Sequence, residues 1–491
     1  MKNLLMYSAV LLAFLVTGCK QNNELIENQN RANKEADLVI KPEQYQQLSS
    51  NNGNAVVETV SGETSFNYSG KSVKVKAYSR NVGDTKNSPI FEYADLLNRA
   101  ITYKNAHPQT DVQVKFVMYK IGLNSYVGFN PSDVSSYGFV KGSDFAGANS
   151  EQLAYSLVKA ALNQVKVDFV YHLDVSASVS GFINGYMETP CTTNPAKKVK
   201  DFLRMRKVSW GTESYQQMHA KYMTVSHYTG DAGDVLNTVY STTGNVDDHG
   251  TTGIPTGKDW VQSGILITGH AELMQSFNKY ADLVYNNYAN QANFRTAVRS
   301  MHSAHSLNYD DQYFSSYFTP IPQSPAGNYV AGQPDSASVQ GNAWDTSYNP
   351  VAKYVSQMAS TSGNRYLKVN MYHLKMDNFG KKFYTELQNI YQSSSSGTKE
   401  FKFLAHENSY QDTRPLSVFN NIGTMRYIKP THAKNLTFAF SGTSSYYTLT
   451  GSTNLKLDDN ASKANTTIVV KEFTTDHPVY NAFKDIFEYQ F

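Results

Sequence analysis

The sequence lacks an excess of charge of either sign. Its 491 residues include 44 lysines and arginines against 41 aspartates and glutamates, so the formal net charge at pH 7 is only +3. Overall charge therefore gives no support for binding to nucleic acid or to an anionic membrane, and any basic surface must be local. Glycine-rich phosphate loops are absent too.

Long hydrophobic runs are also scarce. Beyond the N-terminus no apolar stretch approaches the length that crosses a bilayer. Hydrophobic residues still make up 40% of the chain, with 35 tyrosines and 25 phenylalanines, which indicates a folded protein. A chain of this length exceeds what one hydrophobic core usually fills, so two domains are expected.

The N-terminus has the pattern of an export signal. Lys2 precedes an apolar stretch at 4–16, and Val-Thr-Gly-Cys closes it at 16–19. This ending resembles a bacterial lipobox, which implies cleavage before Cys19 and acylation of its thiol. The small residues before Cys19 favour this over an ordinary secretory signal with an incidental cysteine. We expect a signal peptide at 1–18 and a protein anchored by lipid in the bacterial cell envelope, on its periplasmic or surface face.

Cysteine is nearly absent from the rest of the chain. If Cys19 is acylated, Cys191 is the only thiol left and no internal disulfide can form. No second motif supports Cys191 as a nucleophile, and we interpret it as a loop thiol. Residues 19–65 are rich in Asn, Gln, Glu and Ser without a sustained apolar period, and are predicted to be a flexible tether.

From residue 66 onward the same series of segments occurs twice. Helix-like and strand-like segments alternate in the same order, which indicates duplication and predicts the α/β class, with a mostly parallel sheet in each half. The predicted boundaries are a first domain at 66–300, a proline-rich linker at 301–340 and a second domain at 341–491. The matching segments are 91–103, 116–128, 151–164, 165–173 and 263–287 in the first half, and 351–360, 369–380, 380–392, 399–406 and 466–491 in the second.

The triplet His-Ala-Lys lies in a strand-like run in each half. Side chains at positions i and i+2 of a strand share a face, so His219 points the same way as Lys221, and His432 the same way as Lys434. Imidazole can attack phosphorus or move a proton near neutral pH, and lysine can neutralise charge on phosphoryl oxygens. The pattern predicts a phosphodiester-cleaving site where the two pairs meet.

A carboxamide follows each of these triplets on the next strand. Asn245 lies in "TTGN" and Asn454 in "GSTN", where an amide can donate to a phosphoryl oxygen. A third triplet, His-Leu-Lys at 373–375, has no such partner downstream and is interpreted as a strand feature.

With these motifs the chain resembles the phospholipase D superfamily, whose mark is a repeated His-x-Lys-x4-Asp followed by Gly-Ser-x-Asn. The resemblance covers nearly everything from about residue 70 to the end. It implies two duplicated α/β/α sandwich domains packed with pseudo-twofold symmetry, one active site at their interface, a covalent phosphohistidine, and neither metal nor cofactor.

Carried over to this sequence, the resemblance makes His219 the nucleophile and His432 the acid. Lys221 and Lys434 would hold the phosphoryl group together with residues of the second motif. Those substrate-phosphate-binding residues are Asn245, Ser452 and Asn454.

The sequence departs from the family pattern at the motif aspartates. Their positions hold Ser226 and Ala439, and the acidic residue that many members place on the following strand is replaced by Gly264 and Thr467. The first copy also reads Thr-Thr-Gly-Asn at 242–245 where the family has Gly-Ser-x-Asn. Because an unoriented imidazole is a poorer nucleophile, these losses affect the expected rate more than the expected fold.

Acidic pairs follow both copies, at 247–248 and 458–459. One hypothesis is that a member of each pair reaches its histidine; the alternative is a solvated acidic turn. His302 and His305, and the Asp-Asp-His-Gly stretch at 247–250, lack a further ligand at metal spacing. We therefore predict no metal site there, and surface positions for the two histidines.

Three functions fit this sequence. The first is a phosphodiesterase of phospholipase D type that hydrolyses or exchanges a phospholipid head group beside its membrane anchor. The second is an envelope nuclease with the same site, against which the near-neutral charge argues because nucleic acid needs a basic groove. The third is a degenerate member that binds a phosphorylated ligand or a protein partner without turnover, which the missing aspartates favour. The head group and the oligomeric state stay open.

Overall fold

The computed structural model describes residues 61–68, 71–78, 89–121, 150–174, 178–211, 214–246, 262–322, 343–406, 418–428 and 431–491. The predicted signal peptide, Cys19, the predicted tether up to residue 60 and the acidic pair at 247–248 lie outside the described residues. Within the described ranges, no helix is long and apolar enough to cross a bilayer.

Two mixed sheets of eight strands form the framework of the protein. The first contains β1 (Ser61–Tyr68), β2 (Lys71–Tyr78), β3 (Gln113–Ile121), β4 (Lys166–Asp174), β5 (Leu203–Lys207), β6 (Lys221–Gly230), β7 (Gly233–Thr242) and β8 (Gln262–Thr268). The second contains β9 (Tyr309–Asp310), β10 (Phe314–Phe318), β11 (Arg365–Met371), β12 (Lys399–His406), β13 (Thr424–Ile428), β14 (Lys434–Phe440), β15 (Ser445–Gly451) and β16 (Thr466–Glu472).

The strand orders of the two sheets show the duplication directly. From edge to edge the first sheet runs β1-β2-β8-β7-β6-β3-β4-β5, and the second runs β9-β10-β16-β15-β14-β11-β12-β13. Every strand of one sheet therefore has a counterpart at the same place in the other. The predicted duplicated α/β fold is confirmed.

Most neighbouring strands are antiparallel, so the prediction of a mostly parallel sheet is wrong. Among the strands of the described residues, only β3, β4 and β5 and their counterparts β11, β12 and β13 run parallel to one another. The connections give the reason. A tight hairpin joins β6 to β7, with Gly230 paired to Gly233, whereas parallel neighbours need a long crossover.

Helices cover both faces of each sheet. The helices in the described residues are α1 (Pro89–Ala106), α2 (Ser150–Leu162), α3 (Ser178–Tyr186), α4 (Ala271–Asn286), α5 (Gln291–Ser303), α6 (Pro350–Ser360), α7 (Asn378–Gln392), α8 (Leu457–Ala461) and α9 (Pro478–Gln490). The apolar clusters place α1 and α2 on the outer face of the first sheet, and α6 and α7 on that of the second. Both sheets share the cluster between them, which α4, α5 and α9 fill.

The central strands are buried on both faces because of this layering. In β3, Phe116 and Met118 belong to the outer cluster, while Val117 between them belongs to the shared middle cluster. Successive strand side chains point to opposite faces, so an apolar run suits a strand covered on both sides.

Two strands lie in segments that the sequence predicts to be outside the domains. β1 begins at Ser61, within the predicted tether. β10 lies within the predicted linker, yet it pairs antiparallel with β16 and lies next to the edge strand β9 of the second sheet. The second structural repeat therefore includes residues from Tyr309 onward.

A buried carboxyl joins the last strand to the last helix. Glu472, at the end of β16, accepts hydrogen bonds from the backbone N–H groups of Val479 and Tyr480 in the first turn of α9. Burial raises the pKa of Glu472 from 4.5 to about 7, against these two hydrogen bonds. Because α9 lies in the shared middle layer, the protonation of Glu472 bears on the packing of both sheets.

We expect the substitution Glu472→Gln to flatten the pH dependence of stability. Between pH 4.5 and about 7 the folded chain holds a proton on Glu472 that the unfolded chain lacks. The free energy of unfolding should therefore fall as pH rises through this window, by up to on the order of 3 kcal/mol. Urea unfolding at several pH values measures the slope. Glu400→Gln, at a carboxyl whose side chain is 40% exposed, is the control and should keep the wild-type slope; equal slopes in all three proteins would contradict the assignment.

Candidate active site

The two His-Lys pairs meet at the seam between the sheets. Lys221 and Lys434 open the counterpart strands β6 and β14, and each histidine stands two residues earlier. Exposure is 7% for His219, 0% for Lys221, 6% for His432 and 2% for Lys434. The Lys434 ammonium crosses the seam to donate to the carbonyl of Thr243 at 3.1 Å.

His219 is held by groups of the other half. Its backbone N–H donates to the carbonyl of Ala464 at 2.7 Å. Its Nδ1 lies 3.0 Å from the carbonyl oxygen of Ser452 and 2.9 Å from Oδ1 of Asn465. Asn465 Nδ2 donates to the carbonyl of Asp459, which fixes the orientation of that amide. Both oxygens near Nδ1 are acceptors, so Nδ1 carries the hydrogen and Nε2 of the neutral ring carries the lone pair.

His432 has a different partner. The ammonium of Lys434 lies 3.3 Å from Nδ1 and 3.5 Å from Nε2 of its ring, and also donates to the backbone carbonyl of His432 at 3.0 Å. Both ring nitrogens of His432 therefore lie near the same side-chain nitrogen, whereas Nδ1 of His219 faces two oxygen acceptors. The two imidazoles of the site have different surroundings.

A tyrosine stacks beside each His-Lys pair. The Tyr119 ring lies 4.8 Å from the ring of His219, and its centroid lies 5.1 Å from Lys221 Nζ. The Tyr372 ring lies 4.6 Å from that of His432 and 5.3 Å from Lys434 Nζ. These tyrosines occupy matching positions after "VM" and "NM" in the two repeats, so the aromatic wall is duplicated with the histidines.

Burial and the lysines control the charge of the site. Burial lowers the pKa of His219 well below its ordinary value, and the charge of Lys221 lowers it further. The same two causes, with Lys434 as the cation, lower the pKa of His432. Burial also lowers the pKa of Lys434, although Asp459 opposes this. Both imidazoles are therefore neutral at pH 7, in surroundings dominated by positive charge that favour an anion.

Asp459 is buried beside the site and does not lie in a solvated turn. Its exposure is 0%, and it forms an ion pair with Lys463 at 2.8 Å. Its Oδ2 accepts from the backbone N–H and from Nδ2 of Asn454 at 3.0 and 2.8 Å. It lies 3.9 Å from Nδ1 of His219, so the histidine that this carboxylate approaches belongs to the other copy. The alternative of an exposed acidic turn is wrong for Asp459.

The predicted phosphate-binding residues take unequal positions. Asn454 is fixed by Asp459 and by the backbone N–H of His373, which donates to its Oδ1 at 3.1 Å. Ser452 turns its hydroxyl to Asn465 Oδ1 at 3.0 Å, while its carbonyl faces His219. Asn245 is 8% exposed, and within the described part of the chain its Oδ1 has no hydrogen-bond partner. Of the three predicted phosphate-binding residues, Asn245 is therefore the one whose side-chain oxygen is not held by a hydrogen bond within the described residues.

Asn465 is a partner of His219 that the sequence motifs do not predict. It stands two residues before Thr467, where the family pattern suggests an orienting acid. Gly451 pairs with Thr467 as Thr242 pairs with Gly264, so Gln262 is the counterpart of Asn465 in the first half. Gln262 is 2% exposed and its Oε1 lacks a hydrogen-bond partner among the described residues. The amide side chains of Gln262 and Asn465, at matching positions where β8 and β16 begin, are the sequence feature that could have indicated this role.

The positions of the missing motif aspartates lie along the strands, away from the catalytic ends. Ser226 lies within β6 and accepts from the backbone N–H of Gln113. Ala439 lies near the end of β14, paired with Tyr446. Five residues of strand separate each position from its lysine, about 17 Å. In this structure the aspartate positions therefore do not touch the histidines.

The other candidate residues of the sequence contribute no side chain to this site. His373 follows β11 and carries the backbone donor to Asn454. Cys191 lies in a loop, as predicted, and is buried there, which raises the pKa of its thiol. His302 is 2% exposed and bonds the carbonyl of Phe318, so its predicted surface position is wrong. No group of three or more metal-ligating side chains occurs in the ranges that the structure describes.

Comparisons with known proteins give weak similarities to solved structures. No family model matches the chain, and no curated protein matches it. The similar structures include polyphosphate kinase from Porphyromonas gingivalis (13% identity, TM-score 0.41), where the match covers 84% of this chain and 50% of that one. Another is phosphatidylserine synthase from Haemophilus influenzae (10% identity, TM-score 0.43), where the match covers 84% of this chain and 85% of that one. A third is Nuc, a phospholipase D family member from Salmonella typhimurium (12% identity, TM-score 0.25), where the match covers 44% of this chain and 95% of that one.

The chain spans half the length of that polyphosphate kinase. At these identities and TM-scores the likeness carries no argument about the activity or the substrate of this chain.

Proposed function

We propose that the protein is a phosphodiesterase that acts through a covalent phosphohistidine on His219. One observation carries this proposal: two buried imidazoles, one from each repeat, share one lysine-lined site. The lone pair of His219 lies on Nε2, because Nδ1 faces two acceptors. His432 lies 3.3 Å from the side-chain nitrogen of Lys434, and it takes up a proton when the anionic substrate binds. His219 is therefore prepared to attack, and the imidazolium of His432 to donate a proton.

The reaction takes two steps. First, with His432 in the imidazolium form that the bound anion favours, His219 Nε2 attacks phosphorus and forms a P–N bond while the bond from phosphorus to the leaving alcohol oxygen breaks. That oxygen takes a proton from the His432 imidazolium, which is left neutral. Second, water attacks phosphorus and gives a proton to His432, and the P–N bond breaks. The products are an alcohol and a phosphate monoester, and both imidazoles return to their starting state.

The lysines balance the charge that the phosphate brings. Lys221 and Lys434 lie beside the two rings and can neutralise the phosphoryl oxygens. A bound phosphodiester is an anion, so it raises the pKa values of His432 and Lys434 against the effect of burial. Substrate binding therefore favours the protonated His432 that the first step requires.

We propose a phospholipid as the substrate and the bacterial cell envelope as the location. The support is the predicted lipid anchor at Cys19, which would hold the catalytic body beside a lipid surface. In this scheme the head-group alcohol is the leaving group. Water as the second nucleophile gives hydrolysis, and a second alcohol gives head-group exchange.

An activity assay of the chain from residue 20 onward tests the proposal. The substrates are bis-p-nitrophenyl phosphate, phosphatidylcholine vesicles and single-stranded DNA, each in the presence of EDTA. We expect release of p-nitrophenolate and of the lipid head group, because no step of the scheme uses a metal. Cleavage of DNA without cleavage of lipid would replace the phospholipid by nucleic acid as the substrate. Lack of turnover on all three would contradict the phosphodiesterase and favour a binding protein.

We expect Asn465→Leu to lower kcat about 10- to 100-fold, because the acceptor that fixes Nδ1–H of His219 is lost. Asn465→Asp should retain more activity, since a carboxylate also accepts from Nδ1. Its charge should raise the pKa of His219 and shift the acid limb of the pH–rate profile to higher pH. Thr467→Val, two residues along the strand, is the matched control. A wild-type rate and profile for Asn465→Leu would show that Asn465 does not orient the ring.

A further inference from the structure

A local basic surface lies on the outer edge of the first sheet. Segment 197–207 includes the edge strand β5 and the turn before it. We call it the basic edge. Its cations are Lys197, Lys198, Lys200, Arg204, Arg206 and Lys207.

The carboxylates nearby neutralise only part of this charge. Glu188 pairs with both Lys198 and Lys200, at 2.6 and 2.5 Å, and Asp168 takes Arg204. With Asp201 of the segment itself, three carboxylates stand against six cations, which leaves three positive charges. Among the described residues no ion pair involves Lys197, Arg206 or Lys207, and all three are exposed.

The basic edge begins at the rim of the candidate active site. Lys207 pairs with Tyr171 in the register of β5 and β4, and its charge contributes to the low pKa of the adjacent His172, after burial. The His172 ring packs on Tyr119, which packs on His219. Three strand spacings separate β5 from β6, about 14 Å.

Duplication supplies an internal comparison. The counterpart edge strand, β13, carries one cation in five residues, Arg426, which stacks on the Phe491 ring and bonds its carbonyl. Cations do protect edge strands from pairing with other chains. Since β13 has the same edge position with one cation, already bound to Phe491, protection alone does not account for the three cations in the five residues of β5.

Tyrosines fix the guanidinium groups of the basic edge. Arg206 lies over the rings of Tyr285 and Tyr288, at 5.4 and 5.0 Å, and Arg204 lies over Tyr285 at 4.9 Å. These ring faces are therefore occupied and do not offer the stacking platforms that bind single-stranded nucleic acid. Cations with tyrosines on an exposed edge match the composition of proteins that bind anionic membrane surfaces.

We propose that the basic edge docks the protein on an anionic phospholipid surface, with the rim of the active site at the lipid interface. This inference rests on the phospholipid substrate proposed above. It also gives a reason for a local basic surface on a chain whose net charge is near zero, because only the edge next to the site needs to attract lipid.

Vesicle co-sedimentation tests the docking without any turnover, so its failure is separate from failure of the phosphodiesterase. The chain from residue 20 onward is mixed with vesicles of phosphatidylglycerol and phosphatidylcholine, or of phosphatidylcholine alone. We expect binding to the anionic vesicles at least about tenfold tighter, and weaker in high salt.

Charge reversal locates the surface. The double variant Arg206→Glu/Lys207→Glu should lose at least about tenfold in affinity for anionic vesicles. A second variant, Lys197→Glu/Lys200→Glu, should lose affinity as well. Lys279→Glu/Lys381→Glu changes the net charge equally at exposed sites elsewhere and should bind within about twofold of wild type. Thermal melting followed by circular dichroism checks that each variant is folded.

Equal losses in all three variants would overturn the basic edge in favour of total charge. Tighter binding of a 20-nucleotide single strand than of anionic vesicles, lost in the same two basic-edge variants, would overturn the lipid partner in favour of nucleic acid.

Discussion

Replacing His219 with alanine is expected to lower the rate of phosphodiester cleavage at least about a thousandfold. The loss should be the same for good and poor leaving groups, because without Nε2 of this ring no P–N bond forms. Steady-state assays on bis-p-nitrophenyl phosphate and on phosphatidylcholine measure it. Rapid mixing with excess bis-p-nitrophenyl phosphate should give no burst of p-nitrophenolate.

His432→Ala should behave differently, which makes the pair of variants a test of the two roles. A nitrophenolate leaves without a proton, so the first step survives loss of the acid. The second step still needs a base to activate water. We expect a burst of about one equivalent of p-nitrophenolate followed by slow turnover, and an acid-labile phosphate on the protein.

With a lipid substrate, whose alkoxide leaves poorly, both steps of His432→Ala should be slow. A burst in His219→Ala and none in His432→Ala would exchange the two roles. Retention of wild-type turnover in either variant would contradict the shared site.

The convergence of the four motif side chains was predictable from sequence because two rules combine. Side chains two apart on a strand share a face, which pairs His219 with Lys221 and His432 with Lys434. Duplication then brings equivalent strands to equivalent places, and the strand orders of the two sheets show that this holds for all eight positions. Neither rule depends on the loops between the strands.

The supporting contacts were not predictable in the same way because they cross the seam. Asn465 and Asp459 lie after the second motif, yet both approach His219 of the first. A search that assigns each histidine an acid from its own copy cannot find a partner supplied by the other copy. The prediction of mostly parallel sheets was wrong for a similar reason. The pattern of a single strand does not show whether a short hairpin or a long crossover joins it to its neighbour in the sheet.

Asp459→Asn is expected to be the most destabilising conservative substitution near the site. The carboxylate lies at 0% exposure with Lys463 at 2.8 Å and Lys456 at 3.5 Å, so the amide removes the short ion pair of Lys463 and leaves both ammonium groups with the longer contacts to Asp458. Breaking a buried ion pair from one side costs about 3 kcal/mol or more. Urea unfolding at pH 7 should show this loss. Asp458→Asn is the matched control: its longer pairs, at 3.5 and 3.6 Å, should cost about 1 kcal/mol.

The pH dependence gives the same test independently. Burial opposes ionisation of Asp459, but Lys463 and Lys456 outweigh it and hold the pKa of this carboxyl well below its ordinary value. Its contribution to stability is therefore complete above the ordinary carboxyl pKa, about 4, and is lost as pH falls toward the lower folded value. The wild-type unfolding free energy should decline on acidification below about pH 5, and that of Asp459→Asn should decline less.

Because Asp459 also fixes Asn454 and faces His219, the variant should lose activity even at pH values where it stays folded. Full activity in a folded Asp459→Asn protein would confine this carboxylate to a structural role.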